Sequence, residues 1–151
     1  MSLLADLLAP ENVLLDLDVS NKRRLFELIA LESELRYDLV PTVTIDSLLA
    51  REKLGSTGLG QGIAIPHGRI RGLERSIGYF ARPKQPIAFQ SPDGLPVRDV
   101  FVLLVPEAAT DAHLQILSEL AQRFSSRSFR DALTAANDPH TVHALFSNPS
   151  L

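Results

Sequence analysis

The sequence predicts a single α/β domain in which a mixed central β-sheet is flanked by helices on both sides. Three observations predict this fold class. Helical periodicity dominates both ends of the chain, strand-like segments alternate with helices, and the second half of Val97–Val105 is almost unbroken in apolar residues. Such a run is typical of a strand covered on both faces, and the alternation is typical of an α/β domain. Because 151 residues suffice for one core, we expect one domain over residues 1–151, with its core at about 3–147.

The first part of the chain is predicted to form a helical turn, a strand and a helix. The turn at Ser2–Leu8 ends before Pro10, and Val13–Leu17 alternate apolar and acidic residues as a short strand does. A helix then begins near Ser20 or Asn21, either of which is suited to cap it. Its apolar positions follow helical spacing: Leu25, Leu28, Ile29 and Leu35.

The middle of the chain is predicted to contribute a helix and two strands. The helix covers Asp46–Leu54, and Gly55 follows it where a left-handed C-terminal cap belongs. Ser76–Arg82 and Val97–Val105 have the composition of strands, and the residue types of Ser91–Gly94 predict a turn between them. The glycine-rich segment that starts at Gly55 therefore begins at a helix end.

The C-terminal part is predicted to be helical. Asp111 is suited to cap one helix, and two shorter helices are predicted at Phe129–Ala136 and Pro139–Phe146. The apolar stripe of the first of these helices is predicted to be Leu114, Leu117, Leu120, Ala121 and Phe124.

Composition excludes several classes of function. A net charge of -3 gives no sign of a nucleic-acid partner, and the absence of cysteine excludes disulfides, thiolate catalysis and cysteine zinc sites. The N-terminal segment is interrupted by Asp6, Pro10 and Glu11, and it offers no apolar run near the roughly 20 residues of a membrane helix. We therefore expect a cytoplasmic protein with no membrane insertion, whose chemistry depends on histidine, carboxylate or hydroxyl groups.

The strongest functional signal is the segment Gly55–Arg69, which has four glycines within its first eight residues. Such spacing is typical of a phosphate cradle, but no lysine follows as in a nucleotide-binding P-loop. The segment also follows a helix, whereas the dinucleotide-binding motif follows a strand. Both nucleotide motifs are therefore absent, and a flexible connector remains the alternative to a phosphate cradle.

His67 favours a functional interpretation of this segment. Pro66 fixes the backbone before it and Gly68 leaves the imidazole unshielded, so we expect the ring to be presented at the surface. A neutral imidazole can attack phosphorus or carbon, or bind a metal. A metal bound by His67 and His113 would need a third protein ligand, and the segments around these two histidines supply none. The serine-nucleophile motif Gly-x-Ser-x-Gly is incomplete at Gly55–Gly58.

Five other residues are candidates for binding a phosphoryl group. Arg51 supplies positive charge at a helix end, while Ser56, Thr57 and the backbone around Gly58 are suited to donate hydrogen bonds to phosphate oxygens. His113 lies at a helix N-terminus, where the helix dipole favours a neutral ring. The alternative roles are an ion pair or helix cap for Arg51, a turn for Ser56 and Thr57, and packing for His113.

Two blocks of the sequence resemble the mannitol/fructose-type enzyme IIA family of the bacterial phosphoenolpyruvate phosphotransferase system. They are REKLGSTGLGQGIAIPHG, Arg51–Gly68, and DAHLQILSELA, Asp111–Ala121. The resemblance covers nearly the whole chain, is strongest to the nitrogen-regulatory branch, and implies a mixed sheet with helices on both sides. It implies that His67 is phosphorylated on Nε2 by HPr or a nitrogen-branch HPr homologue, with Arg51 and His113 beside the phosphohistidine. It implies no metal, nucleotide or other cofactor.

Three functions are compatible with these observations. The one we favour is a regulatory phosphocarrier whose phosphorylation state controls its binding to target proteins. The others are a sugar-specific IIA component that passes phosphoryl to a permease IIB domain, and a non-catalytic module that holds a small anion. For docking of a protein donor we expect an apolar rim around His67, for which Leu59, Ile63 and Ile65 are candidates, although core packing is the role we favour for these three residues.

Overall fold

The computed structural model describes residues 4–108 and 111–148, which form six strands and five helices. The strands are β1 (Leu8–Leu17), β2 (Gly58–Gly60), β3 (Ile63–Ala64), β4 (His67–Ile70), β5 (Ile77–Pro83) and β6 (Asp99–Pro106). The helices are α1 (Lys22–Tyr37), α2 (Pro41–Leu54), α3 (Asp111–Ser125), α4 (Arg127–Ala135) and α5 (Pro139–Ser147). None of these helices is both long enough and apolar enough to span a bilayer.

The strands form one open mixed sheet in the order β1-β5-β6-β3-β2, and β4 also pairs with β6. β5 is antiparallel to β6, whereas β3 and β4 both run parallel to it. β3 and β4 lie one after the other along the same edge of β6, because Ala64 is opposite Val100 and His67 is opposite Leu103. This pairing places His67 beside the middle of the central strand.

Helices cover both faces of the sheet, so the predicted fold class is confirmed. The side chains of β6 alternate between two cores, as the period of a strand requires. One core joins β6 to α3, α4 and α5 through Phe101, Leu103 and Val105. The other joins β6 to α1 and α2 through Val100, Val102 and Leu104.

The N-terminal prediction is correct in part. Residues 1–3 lie outside the described part of the chain, and residues 4–7 form a turn. The strand is longer than the predicted Val13–Leu17, since β1 begins at Leu8 and continues through Pro10. An edge strand tolerates proline because one side of its backbone needs no hydrogen-bonding partner, and β1 is the edge strand next to β5.

The predictions for the first two helices differ in accuracy. Asn21 caps α1 as predicted, since its side chain accepts a hydrogen bond of 2.8 Å from the N–H of Arg24. α2 begins at Pro41 instead of near Asp46, because proline suits a first helical position that needs no N–H. The predicted left-handed cap at Gly55 is wrong. This glycine has φ 154° and ψ 149°, so the chain leaves the helix extended, in a conformation that essentially only glycine adopts.

The C-terminal helices lie where they are predicted, with two corrections in α3. Asp111 is the first residue of the helix and not its cap, and the preceding residue lies outside the described ranges. The buried stripe includes Ile116, Leu120 and Phe124, whereas Leu114 is 62% exposed. Leu114 therefore does not belong to the stripe that the apolar pattern predicted.

Candidate functional site

The predicted glycine-rich loop is mostly strand. β2 and β3 form an antiparallel hairpin whose turn runs through Gly60, Gln61 and Gly62, all at positive φ. β3 and β4 then pair with β6, which fixes the segment to the centre of the sheet. The alternative of a flexible connector does not fit this arrangement.

His67 is the first residue of β4 and is half-buried between the sheet and α2. The carbonyl of Pro66 accepts a hydrogen bond of 2.9 Å from the N–H of Leu103, which anchors the backbone at this point. Gly68 has a role different from the predicted one. A Cβ at Gly68 would lie 2.4 Å from Oγ and 3.1 Å from Cβ of Ser47, so the glycine allows α2 to pack directly against β4.

Two hydrogen bonds fix the tautomer of His67. Its Nδ1 lies 3.0 Å from the carbonyl oxygen of Ile65, and a carbonyl oxygen can only accept, so Nδ1 carries the proton. Nε2 therefore has a lone pair, which accepts a hydrogen bond of 3.2 Å from Nε of Arg51. The pKa of His67 is lowered, chiefly by burial. The hydrogen bond to Ile65 raises this pKa, whereas the positive charge of Arg51 lowers it further. At neutral pH the ring is thus neutral, with Nε2 as its nucleophilic atom.

Arg51 connects the end of α2 to His67. Besides the bond from Nε to His67, its Nη1 donates a hydrogen bond of 2.7 Å to the carbonyl oxygen of Gly55. The side chain therefore caps its own helix, as the alternative interpretation expected, and also lies at the reactive ring nitrogen. Both roles are present in the same conformation.

His113 lies next to His67, although the two residues are distant in sequence. The ring centroids are 5.2 Å apart and His113 is buried on α3. Its Nδ1 is buried and has no hydrogen-bond partner among the residues that the structure describes. Burial is the main cause that lowers the pKa of His113, and the charges of His67 and Arg69 lower it further. A neutral ring was expected from the helix dipole, but its main cause is burial.

These residues line an open cleft of about 380 Å³ between α2, β4 and the start of α3. The lining residues are Ser47, Ala50, Arg51, Leu54, His67, Gly68, Arg69 and His113. Sequence reasoning missed two of the polar ones, although the spacing could have found them. Ser47 precedes Arg51 by one helical turn, and Arg69 lies on the same face of β4 as His67.

The side chains of Ser56 and Thr57 do not line this cleft. Ser56 Oγ donates a hydrogen bond to the carbonyl oxygen of Phe89 and accepts one of 3.0 Å from the N–H of Gly58. Thr57 Oγ1 donates to the carboxylate of Glu52, which also receives Nζ of Lys22 at 2.8 Å. Both hydroxyl groups thus hold the chain in place after α2.

Gly58 is packed against the segment that follows β5. A Cβ on this glycine would lie 2.2 Å from Oγ and 3.1 Å from Cα of Ser91. The glycine is therefore required by a close contact within the fold.

Of the three rim candidates, two have the core-packing role that was favoured for them. Ile63 and Ile65 are buried in the core on the side of α3, α4 and α5, and only Leu59 is exposed, at 42%. The cleft at His67 is instead lined by a large exposed apolar residue, Leu54, at 85%. No group of three or more histidine, aspartate or glutamate side chains suited to a metal occurs within residues 4–108 and 111–148.

Comparison with known proteins places this geometry in a family. Residues 6–148 match the family model described as phosphoenolpyruvate-dependent sugar phosphotransferase system, EIIA 2. A nitrogen regulatory protein of Bradyrhizobium diazoefficiens is 41% identical over 97% of this chain and 95% of its own length. One from Pseudomonas aeruginosa is 41% identical over 95% of this chain and 92% of its own.

Solved structures of related proteins also match this chain. The nitrogen regulatory protein IIA-Ntr of Neisseria meningitidis superposes with a TM-score of 0.90 and 46% identity, over 96% of this chain and 99% of that one. IIA mannitol of Escherichia coli shares the fold, with a TM-score of 0.73 and 21% identity over 91% of this chain and 97% of that one. The chain therefore belongs to the EIIA 2 family of the phosphoenolpyruvate-dependent sugar phosphotransferase system and resembles its nitrogen regulatory members over nearly its whole length.

Proposed function

We propose that the protein is a phosphocarrier that accepts a phosphoryl group on Nε2 of His67 and controls other proteins through its phosphorylation state. Members of its family are phosphotransferases with phosphohistidine intermediates. The observation that carries the assignment to His67 is its fixed tautomer, which leaves a lone pair on Nε2 beside Arg51 in an open cleft.

The transfer requires no proton movement on His67. The Nε2 lone pair attacks phosphorus, the N–P bond forms, and the bond between phosphorus and the donor nitrogen breaks, so its electron pair returns to the donor. The Nδ1 proton stays in its hydrogen bond with the carbonyl of Ile65. Catalysis then consists of aligning the two nitrogens and stabilising charge on the phosphoryl oxygens.

Arg51 and His113 are the groups suited to stabilise that charge. Arg51 donates to Nε2 in the structure, so it must exchange this acceptor for a phosphoryl oxygen as the N–P bond forms. His113 is neutral because of burial and nearby positive charge. An arriving phosphoryl dianion reverses the local charge and favours the protonated ring, which is a stronger hydrogen-bond donor.

Direct binding of the phosphoryl group by Ser56, Thr57 and Gly58 stays a prediction. In the structure the two hydroxyl groups are bonded to Phe89 and Glu52. They would have to exchange these partners to reach a phosphoryl oxygen. We therefore assign the main stabilisation to Arg51 and His113.

We propose that the phosphoryl donor is HPr or its nitrogen-branch homologue, a protein that carries phosphohistidine. The cleft is open and has the exposed Leu54 in its lining, which suits docking of a convex protein surface. Regulatory output is favoured over sugar transport because nitrogen regulatory relatives match nearly the whole chain. A fructose-specific EIIA component of Haloferax volcanii matches 65% of it at 38% identity.

The first experiment incubates the protein with a phosphorylated HPr-type donor and measures phosphate incorporation. His67→Ala should abolish formation of acid-labile, base-stable phosphohistidine. His140→Ala is the matched control, because His140 is exposed on α5, and it should be labelled as fully as the unmodified protein. Full labelling of His67→Ala would contradict the assignment. Binding of free phosphate without covalent labelling would indicate an anion-binding module.

A second experiment separates regulation from sugar transport. The purified phosphoprotein is offered to IIB domains and, separately, used to capture regulatory proteins in either phosphorylation state. Capture by one state alone, with no discharge onto a IIB domain, is the expected result. Rapid discharge onto a IIB domain would favour the sugar-specific function.

A further inference from the structure

A second cleft, which does not include His67, lies between α4 and the turn that joins β2 to β3. Its volume is about 490 Å³, and it is lined by Gln61, Gly62, Arg98, Arg127, Arg130, Asp131 and Thr134. We call it the arginine groove. None of its lining residues lines the cleft at His67, so a ligand bound here would not contact the phosphorylation site directly.

The wall of the arginine groove is one face of α4. Arg127, Arg130, Asp131 and Thr134 follow the spacing that brings residues onto one side of a helix. The opposite side is the backbone at Gly62, whose carbonyl oxygen accepts a hydrogen bond of 2.8 Å from the N–H of Arg98. The groove is thus formed by a face of α4 on one side and, on the other, by the tight turn between β2 and β3, which this hydrogen bond ties to the residue before β6.

Positive charge exceeds negative charge in the arginine groove. Arg127 and Arg130 line it together with one carboxylate, that of Asp131, which lies 3.9 Å from Arg127, while Nη1 of Arg130 donates a hydrogen bond of 2.8 Å to the carbonyl of Phe124. Arg98 and Arg82 both pair with the fully buried carboxylate of Asp99. These three side chains therefore also carry one positive charge in excess. Two positive charges are therefore left over at a single place on a chain whose net charge is -3.

Arg98 also has an unused donor. Its Nη2 donates to Asp99 at 2.6 Å and to Thr134 at 2.7 Å, whereas Nε is buried and has no hydrogen-bond partner within the described residues. Buried polar atoms in native proteins almost always have a partner, so this Nε is an exception among the described residues. Because the atom itself is buried, an anion in the groove could accept from it only after the Arg98 side chain, which is 36% exposed, has moved.

We propose that the arginine groove binds a phosphate monoester that carries hydroxyl groups, such as a sugar or polyol phosphate. Guanidinium groups bind phosphate oxygens in pairs, which accounts for the arginines. Asp131 supplies acceptors for hydroxyl groups, and the side-chain amide of Gln61 supplies both an acceptor and donors. The lining has no aromatic side chain to stack on a base, which disfavours a nucleotide.

The test measures binding by calorimetry and by NMR amide shifts on the unphosphorylated protein. The probes are glucose 6-phosphate, fructose 6-phosphate and mannitol 1-phosphate, compared with glucose and with inorganic phosphate. At least one sugar or polyol phosphate should bind saturably below about 1 mM, more tightly than phosphate or glucose, and shift the amides of Gly62 and Thr134. His67→Ala should bind it equally well, which makes the result independent of the proposed phosphoryl transfer.

Arg127→Glu should weaken that binding by about tenfold or more, since it replaces an attractive charge by a repulsive one. Arg71→Glu is the matched control. Arg127 and Arg71 have side chains 87% and 85% exposed, with one loose ion pair each, at 3.9 Å and 3.8 Å, and Arg71 lies outside the groove. Its effect should stay below about twofold, as expected for a screened surface charge.

Asp131→Ala tests the hydroxyl part of the assignment. It should lower the preference for the sugar or polyol phosphate over inorganic phosphate, because an acceptor for the hydroxyl groups is lost. Three results would overturn the proposal: no saturable binding of any of the three esters up to about 10 mM, equal effects of Arg127→Glu and Arg71→Glu, or inorganic phosphate binding as tightly as the esters.

Discussion

His67 is controlled by hydrogen bonds at both of its ring nitrogens. The carbonyl of Ile65 holds the proton on Nδ1, and Arg51 approaches Nε2 from the end of α2. His113 adds a second imidazole that is buried and has a lowered pKa. In the proposed transfer, the two rings would therefore form a pair in which His67 is the nucleophile and His113 takes up a proton when negative charge arrives.

This pairing predicts that phosphorylation of His67 raises the pKa of His113. The physical reason is that burial and the His67 and Arg69 charges lower this pKa in the unmodified protein, whereas a phosphoryl dianion attracts the imidazolium form. An NMR titration of the imidazole nitrogens should show a rise of about one pH unit or more. His67→Ala is the control: the pKa of His113 in this variant should be the same before and after treatment with the phosphorylated donor. An unchanged value in the phosphoprotein would leave His113 with a packing role alone.

At the scale of elements, the site depends on how closely α2 packs against β4. Ser47 Oγ donates a hydrogen bond of 2.9 Å to the carbonyl oxygen of Arg69, and Gly68 leaves no side chain between helix and strand. Arg51 lies one turn further along α2. Its distance from His67 therefore depends on this helix–strand contact.

Gly68→Ala should slow phosphoryl transfer by about tenfold to a hundredfold while the fold is retained, because small displacements of aligned groups are costly. The added Cβ would meet Ser47 at 2.4 Å from Oγ and 3.1 Å from Cβ, so α2 must move outward with Arg51. Transfer rates from the phosphorylated donor measure the effect.

Two further variants of Ser47 act as controls for this prediction. Ser47→Ala removes only the hydrogen bond to Arg69 and should slow transfer less. The double variant Ser47→Gly, Gly68→Ala relieves most of the contact and should recover part of the rate. A Gly68→Ala variant with the rate of the unmodified protein would show that the spacing of α2 and β4 does not position Arg51.

On the scale of the whole molecule, β6 belongs to both cores. Phe101 packs among α3, α4 and α5, while its neighbour Val102 packs among α1 and α2. Loss of either helical layer would expose one face of the same strand to water. The two sides of the protein are therefore expected to unfold together.

The chain offers a direct measurement of this cooperativity. It has no tryptophan and two tyrosines, Tyr37 and Tyr79, which both belong to the core on the side of α1 and α2. In a urea titration, tyrosine fluorescence reports that side alone and far-ultraviolet circular dichroism reports all helices. The two transitions should have the same midpoint. A loss of helix signal that precedes the fluorescence change would show that α3, α4 and α5 unfold separately.

Much of the fold could be predicted because the sequence carries local signals for it. Asn21 caps a helix, and the apolar residues near Val100 identify a strand covered on both faces. The three short strands after Gly55 could not be predicted in the same way, because β3 and β4 are held by pairing with β6, and β2 by pairing with β3, and not by their own composition. The start of α2 was predictable, since Pro41 is a known signal for a first helical turn.

The sequence pointed to His67, Arg51 and His113, which the cleft brings together, but not to Ser47 and Arg69, and it did not reveal the contacts. Pro66 and Gly68 around His67 indicated a special position, but the reason for Gly68 is its contact with Ser47, which only the packed helix reveals. Likewise, the hydroxyl groups of Ser56 and Thr57 suit phosphate as well as they suit Phe89 and Glu52. Local sequence does not decide between such partners, because the choice depends on which groups the fold brings near.

The hydrogen bond from Nδ1 of His67 to Ile65 also bears on the regiochemistry of the proposed modification. With Nδ1 occupied, the proposed transfer would lead to one isomer, tele-phosphohistidine, and not to the pros isomer. A reagent selective for pros-phosphohistidine would therefore miss this protein in a survey of cell extracts, whereas a tele-selective one would detect it. Under the proposed transfer, the carbonyl of a single residue would thus select which phosphohistidine isomer is formed.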